Sequence, residues 1–433
     1  MTPSGSEALH KAERMAGGWC PRPWPTHSAA SDSGFEGVAG AAFVLMFPVF
    51  MAYQYGISAG WWGAFLGGLF GASAMLVAAL ASVFAVTVVM RNAPVHALHV
   101  LFLLLLVHMS VWSLAHLPLI DRSEWTSPVM TESFATLTIW VALFFVGARF
   151  PSRPPGLRWV SSLSWLLVLL CFAHAFYAGG FPAGPFLAFA NAEEGGHSTY
   201  QGIGRSLLAV GAIAALAWRP DSLVAVGSLV AAAVLMLTLG SRAHFFVLCL
   251  LIVLHVSLLL VRRQTFLRGA FSLAVLLAVA ATSLNLFLET RAAEIVELAE
   301  SASWTERGQA NERALAVIAE RPLAGAFGYH SWDEAGYAHN LLSAWTQYGL
   351  LGFLGCVLLM LSATLLAIAG YRRGDGQRAA WLVAMYLNVV CIVLAVASEP
   401  IMSSAFPALA WGFTARAMRL ERTGAAYGVE RRN

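Results

Sequence analysis

The sequence has very little charge for its length. Only 11% of its 433 residues are charged, and Lys11 is the single lysine among 26 basic residues. In contrast, 59% of the residues are hydrophobic and the mean hydropathy is +0.70. One soluble core cannot cover that much apolar surface, so the composition excludes a water-soluble globular protein and predicts that lipid covers the remainder.

Cysteine is scarce and scattered. None of the five cysteines forms a CxxC or CxxH pair, and four of them fall inside apolar runs. The pattern therefore indicates neither a disulfide framework nor a zinc site.

The first 36 residues lack the apolar stretch of a signal-peptide core. They are rich in Ser, Pro, Gly and charge. We expect residues 1–36 to form a disordered cytoplasmic tail.

Long apolar runs follow this tail. A bilayer core about 30 Å thick needs about 20 apolar helical residues to cross it. On that basis the sequence predicts an all-α polytopic membrane protein with about twelve transmembrane helices. The predicted spans are 38–56, 60–89, 95–117, 131–149, 157–178, 200–217, 222–240, 243–261, 269–288, 340–369, 379–398 and 402–418.

The placement of basic residues orients these spans. Lys and Arg near span ends are retained in the cytoplasm. With both termini inside, 19 of the 26 basic residues lie on the cytoplasmic side. The seven on the outer side are Arg122, Arg205, Arg242, Arg291, Arg307, Arg313 and Arg321.

The predicted organisation has one long extracytoplasmic loop. Spans one to nine occupy residues 37–288, a periplasmic loop with short helices occupies 289–339, spans ten to twelve occupy 340–420, and 421–433 form a cytoplasmic tail. Within the loop, ETRAAEIVELAES and ERGQANERALAVIAERP each have a helical pattern, and Pro322 ends the second. Long structured loops usually carry function.

Two outer arginines lie at membrane edges rather than in open loop. Arg205 lies about one turn into the sixth span, and Arg242 lies at the start of the eighth. An arginine at the membrane is costly without a partner, and a diphosphate matches its forked donors. The alternative is a structural ion pair with Glu193, Glu194 or Glu399, or a side chain that reaches the interface.

His339 ends the long loop, and Asn340 can cap the tenth helix. A histidine can accept a hydroxyl proton near neutral pH, although most lone histidines at helix starts bond to backbone. His330, Asp333, Glu334 and His339 match no common metal-ligand spacing, so we expect no metal. Glu399, between the last two spans, could orient a histidine or arginine, or be an ordinary helix-end charge.

The stretch from Arg307 to Gly355 resembles the signature region of the bacterial O-antigen ligase and O-antigen polymerase superfamily. That signature is an arginine, a short helix, Pro-Leu-x-Gly-x-x-Gly, a variable loop, His-Asn, and Tyr-Gly-Leu-Leu-Gly. This chain departs from it at Asn311, where many members have an aromatic residue, and at Ala326-Phe327. The matching residues are Pro322, Leu323, Gly325, Gly328, His339, Asn340 and residues 349–352.

The resemblance implies a GT-C-like glycosyltransferase in the bacterial inner membrane. Its donor would be an undecaprenyl-diphosphate-linked glycan, with no cofactor and no metal. Arg205 and Arg242 would hold the diphosphate, and His339 would position or deprotonate the acceptor. The expected substrate contacts are Arg307, Tyr200, Gln201, Asn340 and Glu399.

Several alternatives remain open from sequence alone. The acceptor could be lipid A core, a lipid-linked chain or a protein side chain; the partners are therefore glycans and membrane lipids, with no nucleic acid. Arg307 could instead pair with Glu306 or Glu312. A transporter or flippase for an anionic substrate would also place arginines in a membrane protein, but it predicts polar residues deep in several spans. A structural membrane protein is the third possibility.

Overall fold

The protein is helical throughout the part of the chain that the structure describes. The computed structural model describes residues 29–63, 69–90, 96–116, 128–180, 184–185, 200–218, 222–261, 265–274, 302–328, 338, 340–373 and 377–430. These ranges contain no β-strand. The predicted all-α class is therefore confirmed.

Thirteen α-helices are labelled here in chain order. A π-helical turn, Leu45–Val49, joins the first two into one continuous rod, and a 3-10 turn, Ile401–Ser403, precedes the last. They are α1 Ala29–Val44, α2 Phe50–Ser58, α3 Leu69–Met90, α4 Ala97–His116, α5 Pro128–Arg149, α6 Pro154–Gly179, α7 Tyr200–Ala217, α8 Leu223–Leu239, α9 Arg242–Leu260, α10 Ala302–Glu320, α11 Leu342–Arg373, α12 Arg378–Ala397 and α13 Phe406–Glu430.

Many of these helices have the length and composition of membrane spans. Seven helical segments in the described ranges are long and apolar enough to cross a membrane, and three shorter apolar helices accompany them. Large apolar side chains such as Leu103, Leu169 and Leu365 are exposed on their outer faces, as expected where lipid is the neighbour. A helical membrane protein is confirmed, while the count of twelve spans stays a prediction. Most of the predicted ninth span, 269–288, lies outside the described residues.

The first helix begins earlier than the sequence predicts. The tail was expected to extend to residue 36, but α1 begins at Ala29. Glu36 accepts hydrogen bonds from the backbone N–H and hydroxyl of Ser152 and lies 3.4 Å from Arg419 Nη2. Polar composition predicted disorder for this segment, whereas contacts with distant residues hold Glu36 in a helix.

Helices α5 and α13 cross at close range. A Cβ at Gly412 would lie 2.4 Å from the Phe144 carbonyl oxygen, and one at Gly147 would lie 2.6 Å from that of Leu409. Only glycine allows backbones to approach this closely, which is the usual way in which helices pack inside membranes. This crossing fixes the position of the last helix, whose N-terminal end borders the candidate site.

Candidate functional site

Three helices bring polar side chains together around Glu399. Glu399 follows α12, Arg205 lies in the second turn of α7, and His244 lies in the first turn of α9. Arg205 Nε donates to Glu399 Oε1 at 3.0 Å, and His244 Nε2 lies 2.9 Å from the same oxygen. The expected role of Glu399 in orienting an arginine or a histidine matches this arrangement. We call Arg205, Glu399, His244, Ser241 and Ser404 the Glu399 cluster.

The rest of the Glu399 cluster fixes the carboxylate and the imidazole. The Ser404 hydroxyl donates to Glu399 Oε2 at 2.9 Å, and Ser241 Oγ lies 2.8 Å from His244 Nδ1. Gly204 permits the close approach of α7, since a Cβ there would lie 3.1 Å from both Ser241 Oγ and His244 Nδ1. Both carboxylate oxygens and both ring nitrogens therefore have polar neighbours.

The charge state of Glu399 follows from these neighbours. Glu399 is 2% exposed. Burial by itself raises the pKa of this carboxyl, but Arg205 and His244 more than offset that effect, and the pKa lies well below its ordinary value. Glu399 is therefore ionised at neutral pH and balances the charge of Arg205.

Arg205 keeps part of its donor capacity. Its side chain is 23% exposed, and only Nε bonds to Glu399. Its two Nη groups have no hydrogen-bond partner within the described part of the chain. Of the two sequence-based alternatives, the ion pair with Glu399 is present, yet it leaves two donors for a second anion.

The other residues expected near Arg205 occupy two helix starts. Arg242 is the first residue of α9 and is half-buried, two positions before His244. Tyr200 and Gln201 begin α7, and Gln201 is half-buried. The position of the Tyr200 side chain lies outside what the structure describes.

The start of α11 lies at the same end of the bundle. Leu341 N–H donates to the Ala395 carbonyl at 2.6 Å, just before Glu399 in the chain. Asn340 Oδ1 accepts from Leu342 N–H at 2.9 Å, so the predicted cap of this helix is confirmed. His339 itself lies outside the described residues, although its neighbours on both sides, Ala338 and Asn340, are described.

Asn340 also connects α11 to the loop helix α10. Its Nδ2 donates to Asn311 Oδ1 at 2.9 Å. Asn311 is one of the positions at which this chain departs from the resembled signature. Arg307 lies four residues earlier, on the same helix face, and is half-buried. Arg307 forms no ion pair with Glu306 or Glu312, all three of which the structure describes.

The glycine motif after α10 docks on a kink in α11. Ala326 N–H donates to the Thr346 carbonyl at 2.7 Å, and Leu350 N–H donates to that of Leu323 at 3.1 Å. Gly349 interrupts α11 with φ 68° and ψ −173°, and Gly325 has φ 64°. The two matched portions of the signature region, the Pro-Leu-x-Gly turn and the Tyr-Gly segment, are thus direct structural partners.

No family model, no curated protein and no solved structure matches the chain. The resemblance to the O-antigen ligase and polymerase superfamily therefore rests on residues 307–355 of the sequence alone.

Sequence reasoning missed His244. Its contacts come from Glu399, far along the chain, and from Ser241, so the only local signal is a serine three residues before a histidine. By contrast, His108 and His116 bond to the backbone carbonyls of Tyr348 and Trp112. Within the described ranges no group of three potential metal ligands occurs; His330, Asp333 and Glu334 lie outside them.

Proposed function

We propose that this protein transfers a glycan from undecaprenyl diphosphate to an acceptor hydroxyl at the periplasmic face of a bacterial inner membrane. Arg205 and Arg242 hold the diphosphate, and His339 positions or deprotonates the acceptor. Arg307, Asn340, Tyr200 and Gln201 surround the substrates. The proposed fold is a GT-C-like bundle of twelve spans with both termini in the cytoplasm, and it uses no cofactor and no metal.

One observation carries the proposal: Arg205 is anchored through Nε by a buried carboxylate, while neither Nη group bonds to a residue that the structure describes. A guanidinium held in this way presents two parallel donors, which is the geometry that phosphate oxygens accept. Because the anchor is already in place, binding a diphosphate does not require Arg205 to be ordered anew. A purely structural ion pair has no need of the remaining two donors.

The position of the Glu399 cluster also supports a shared site with the loop. Glu399 follows α12, whose Ala395 carbonyl accepts a hydrogen bond from Leu341 at the start of α11. Asn340, the neighbour of His339 in sequence, caps that same helix start. Arg205 and Asn340 therefore lie at one end of the bundle.

The proposed reaction is a single inverting displacement. The acceptor oxygen attacks the anomeric carbon, its proton passes to His339, and the bond from that carbon to the diphosphate oxygen breaks. Undecaprenyl diphosphate leaves with the electron pair. Cationic donors lower the barrier because negative charge grows on the leaving diphosphate.

The decisive experiment measures glycan transfer by purified protein from lipid-linked glycan to candidate acceptors. We expect Arg205→Ala, Arg242→Ala and His339→Ala each to lower transfer by at least about 100-fold. Arg321→Ala is the matched control, because Arg321 is an exposed arginine of the outer loop outside the proposed site. Folded variants that turn over like the wild type would remove the site assignment.

The acceptor is decided by a second experiment in a deletion strain. Loss of a polymerase leaves single repeat units on the lipid A core, whereas loss of a ligase leaves polymer on the carrier lipid. Loss of a protein glycosylase leaves both unchanged and removes glycan from a protein. Movement of substrate across the membrane without transfer would instead favour a transporter.

A further inference from the structure

His244 is a buried polar residue for which the proposed chemistry has no direct use. It is 3% exposed, and it is packed between α7 and the segment after α12. Its position excludes contact with a bulky substrate. Any effect of His244 on the reaction must therefore be exerted through its neighbours, Ser241 and Glu399.

The contacts of Glu399 define what His244 can do. Oε1 is shared by Arg205 Nε and His244 Nε2, and Oε2 accepts from Ser404. At 2.9 Å, the His244 Nε2–Oε1 contact places the imidazole on the same oxygen as the guanidinium. Without His244, only Arg205 and Ser404 would hold the carboxylate.

These contacts determine which part of Arg205 faces the carboxylate. Two parallel hydrogen bonds from an arginine to a carboxylate would use both of its oxygens. Oε2 already accepts from Ser404, and Oε1 is shared with His244, so Arg205 bonds through Nε alone. The edge of the guanidinium formed by its two Nη groups is not used in this pair.

We propose that His244 is a positioning residue: together with Ser404 it fixes the orientation of the Glu399 carboxylate, and it thereby directs the Nη edge of Arg205 towards a diphosphate. The inference rests on the proposed function for the identity of the ligand. Ser241 holds the imidazole in place through Nδ1. The ligand class is a diphosphate monoester or diester, and inorganic pyrophosphate is its simplest probe.

Two substitutions distinguish the contributions of the two ring nitrogens of His244. His244→Gln can place an amide donor near the position of Nε2, whereas His244→Asn can reach only the position of Nδ1, beside Ser241. We expect His244→Asn to raise the KM for the lipid-linked donor about tenfold, with a smaller change in kcat. His244→Gln should have a KM close to that of the wild type. The dissociation constant for inorganic pyrophosphate, measured by calorimetry on the full-length protein, should change in parallel.

The outcomes distinguish this inference from the proposed function. If wild type transfers glycan and the two variants do not differ from it, the positioning role is wrong and the function stands. If wild type binds pyrophosphate in a His244-dependent manner but transfers nothing, the transferase proposal fails and the positioning role stands. Should His244→Asn not fold, Ser404→Ala removes the donor to Oε2 instead, and unchanged donor KM and pyrophosphate affinity there would equally overturn the inference.

Discussion

At the residue scale, the stability of the candidate site depends on one buried carboxylate, that of Glu399. A charge removed from water is costly unless it is paired and hydrogen-bonded, and removal of one partner leaves the other uncompensated. Glu399 has Arg205, His244 and Ser404 as neighbours, and it is almost fully buried. Its replacement should therefore affect folding as well as binding.

We expect Glu399→Ala to destabilise the protein by about 3 to 5 kcal/mol, because it leaves Arg205 without its counter-charge. Glu399→Gln keeps the shape and should cost less. Unfolding of the purified variants in detergent, followed by circular dichroism, measures both. A loss below about 1 kcal/mol in Glu399→Ala would show that the ion pair contributes little.

The same carboxylate gives a pH dependence with a definite sign. The pKa of Glu399 is lowered on folding, so its contribution to stability is complete above the ordinary pKa of a glutamate, about 4.3. It is lost as the pH falls through the lowered value. The stability difference between wild type and Glu399→Gln should therefore be constant from pH 8 to pH 5 and shrink below pH 4. A difference that disappears already at pH 6 would contradict this.

Local sequence signals predicted only part of the site. Asn340 as a helix cap follows from its type and position, and the structure confirms it. Glu399 was recognisable because a carboxylate between two apolar spans needs a partner. His244 was not recognisable, because its decisive neighbour, Glu399, comes from the segment after α12, far along the chain.

At the element scale, the turn after α10 and the kink in α11 depend on two glycines. A Cβ at Gly325 would lie 2.4 Å from the Trp345 carbonyl oxygen, and one at Gly349 would lie 2.4 Å from that of Leu323. Both residues have positive φ. We expect either alanine substitution to cost about 2 to 4 kcal/mol, measured as a lowered midpoint of thermal unfolding.

Gly227 provides the matched control for these two variants. It lies inside α8 with open space where a Cβ would be. Gly227→Ala should leave stability within about 1 kcal/mol of the wild type, on the stabilising side. Equal losses in all three variants would show that the motif has no special backbone requirement.

The Asn311–Asn340 contact links the loop helix to the start of α11. Asn311→Leu removes the acceptor for Asn340 Nδ2 but leaves the cap bond to Leu342 intact. We therefore expect a modest loss of stability, about 1 kcal/mol, and a larger loss of transfer, because the segment next to His339 is less well fixed. Glycan transfer and thermal unfolding of the same preparation separate the two effects. Parallel losses in both would indicate a merely structural contact.

The helices themselves were largely predictable, because each apolar run needs its backbone hydrogen bonds made internally within lipid. Apolar runs such as 95–117 and 379–398 coincide closely with α4 and α12. The start of α1 was not predictable in this way. Its first turns are polar, and their stability comes from Glu36 with Ser152 and Arg419, which only the folded chain brings together.

At the scale of the whole molecule, the end of the bundle opposite the Glu399 cluster is held by a buried cation. Arg416 on α13 is 2% exposed; its Nε donates to the Phe150 carbonyl and its Nη2 to that of Pro151, at 3.0 and 2.6 Å. These carbonyls follow the C-terminus of α5, where a cation is favourable. Arg205 and Arg416 thus differ in use: Arg416 is bonded to backbone inside the bundle, whereas the two Nη groups of Arg205 have no hydrogen-bond partner among the described residues.

The assignment of these two ends to the two sides of the membrane is testable with engineered cysteines. Basic residues concentrate at the Arg416 end, which predicts that it faces the cytoplasm and that the Glu399 cluster faces the periplasm.

Ala319, near the end of α10, and Arg373, at the end of α11, are both exposed and lie at opposite ends of α11. In a background with Cys20→Ser and Cys249→Ser, Ala319→Cys should react with a membrane-impermeant maleimide in intact spheroplasts. Arg373→Cys should react only after permeabilisation. The native Cys171, Cys356 and Cys391 are buried and contribute little background. The reverse labelling pattern would place the Glu399 cluster in the cytoplasm, away from the periplasmic acceptors that the proposed transfer requires.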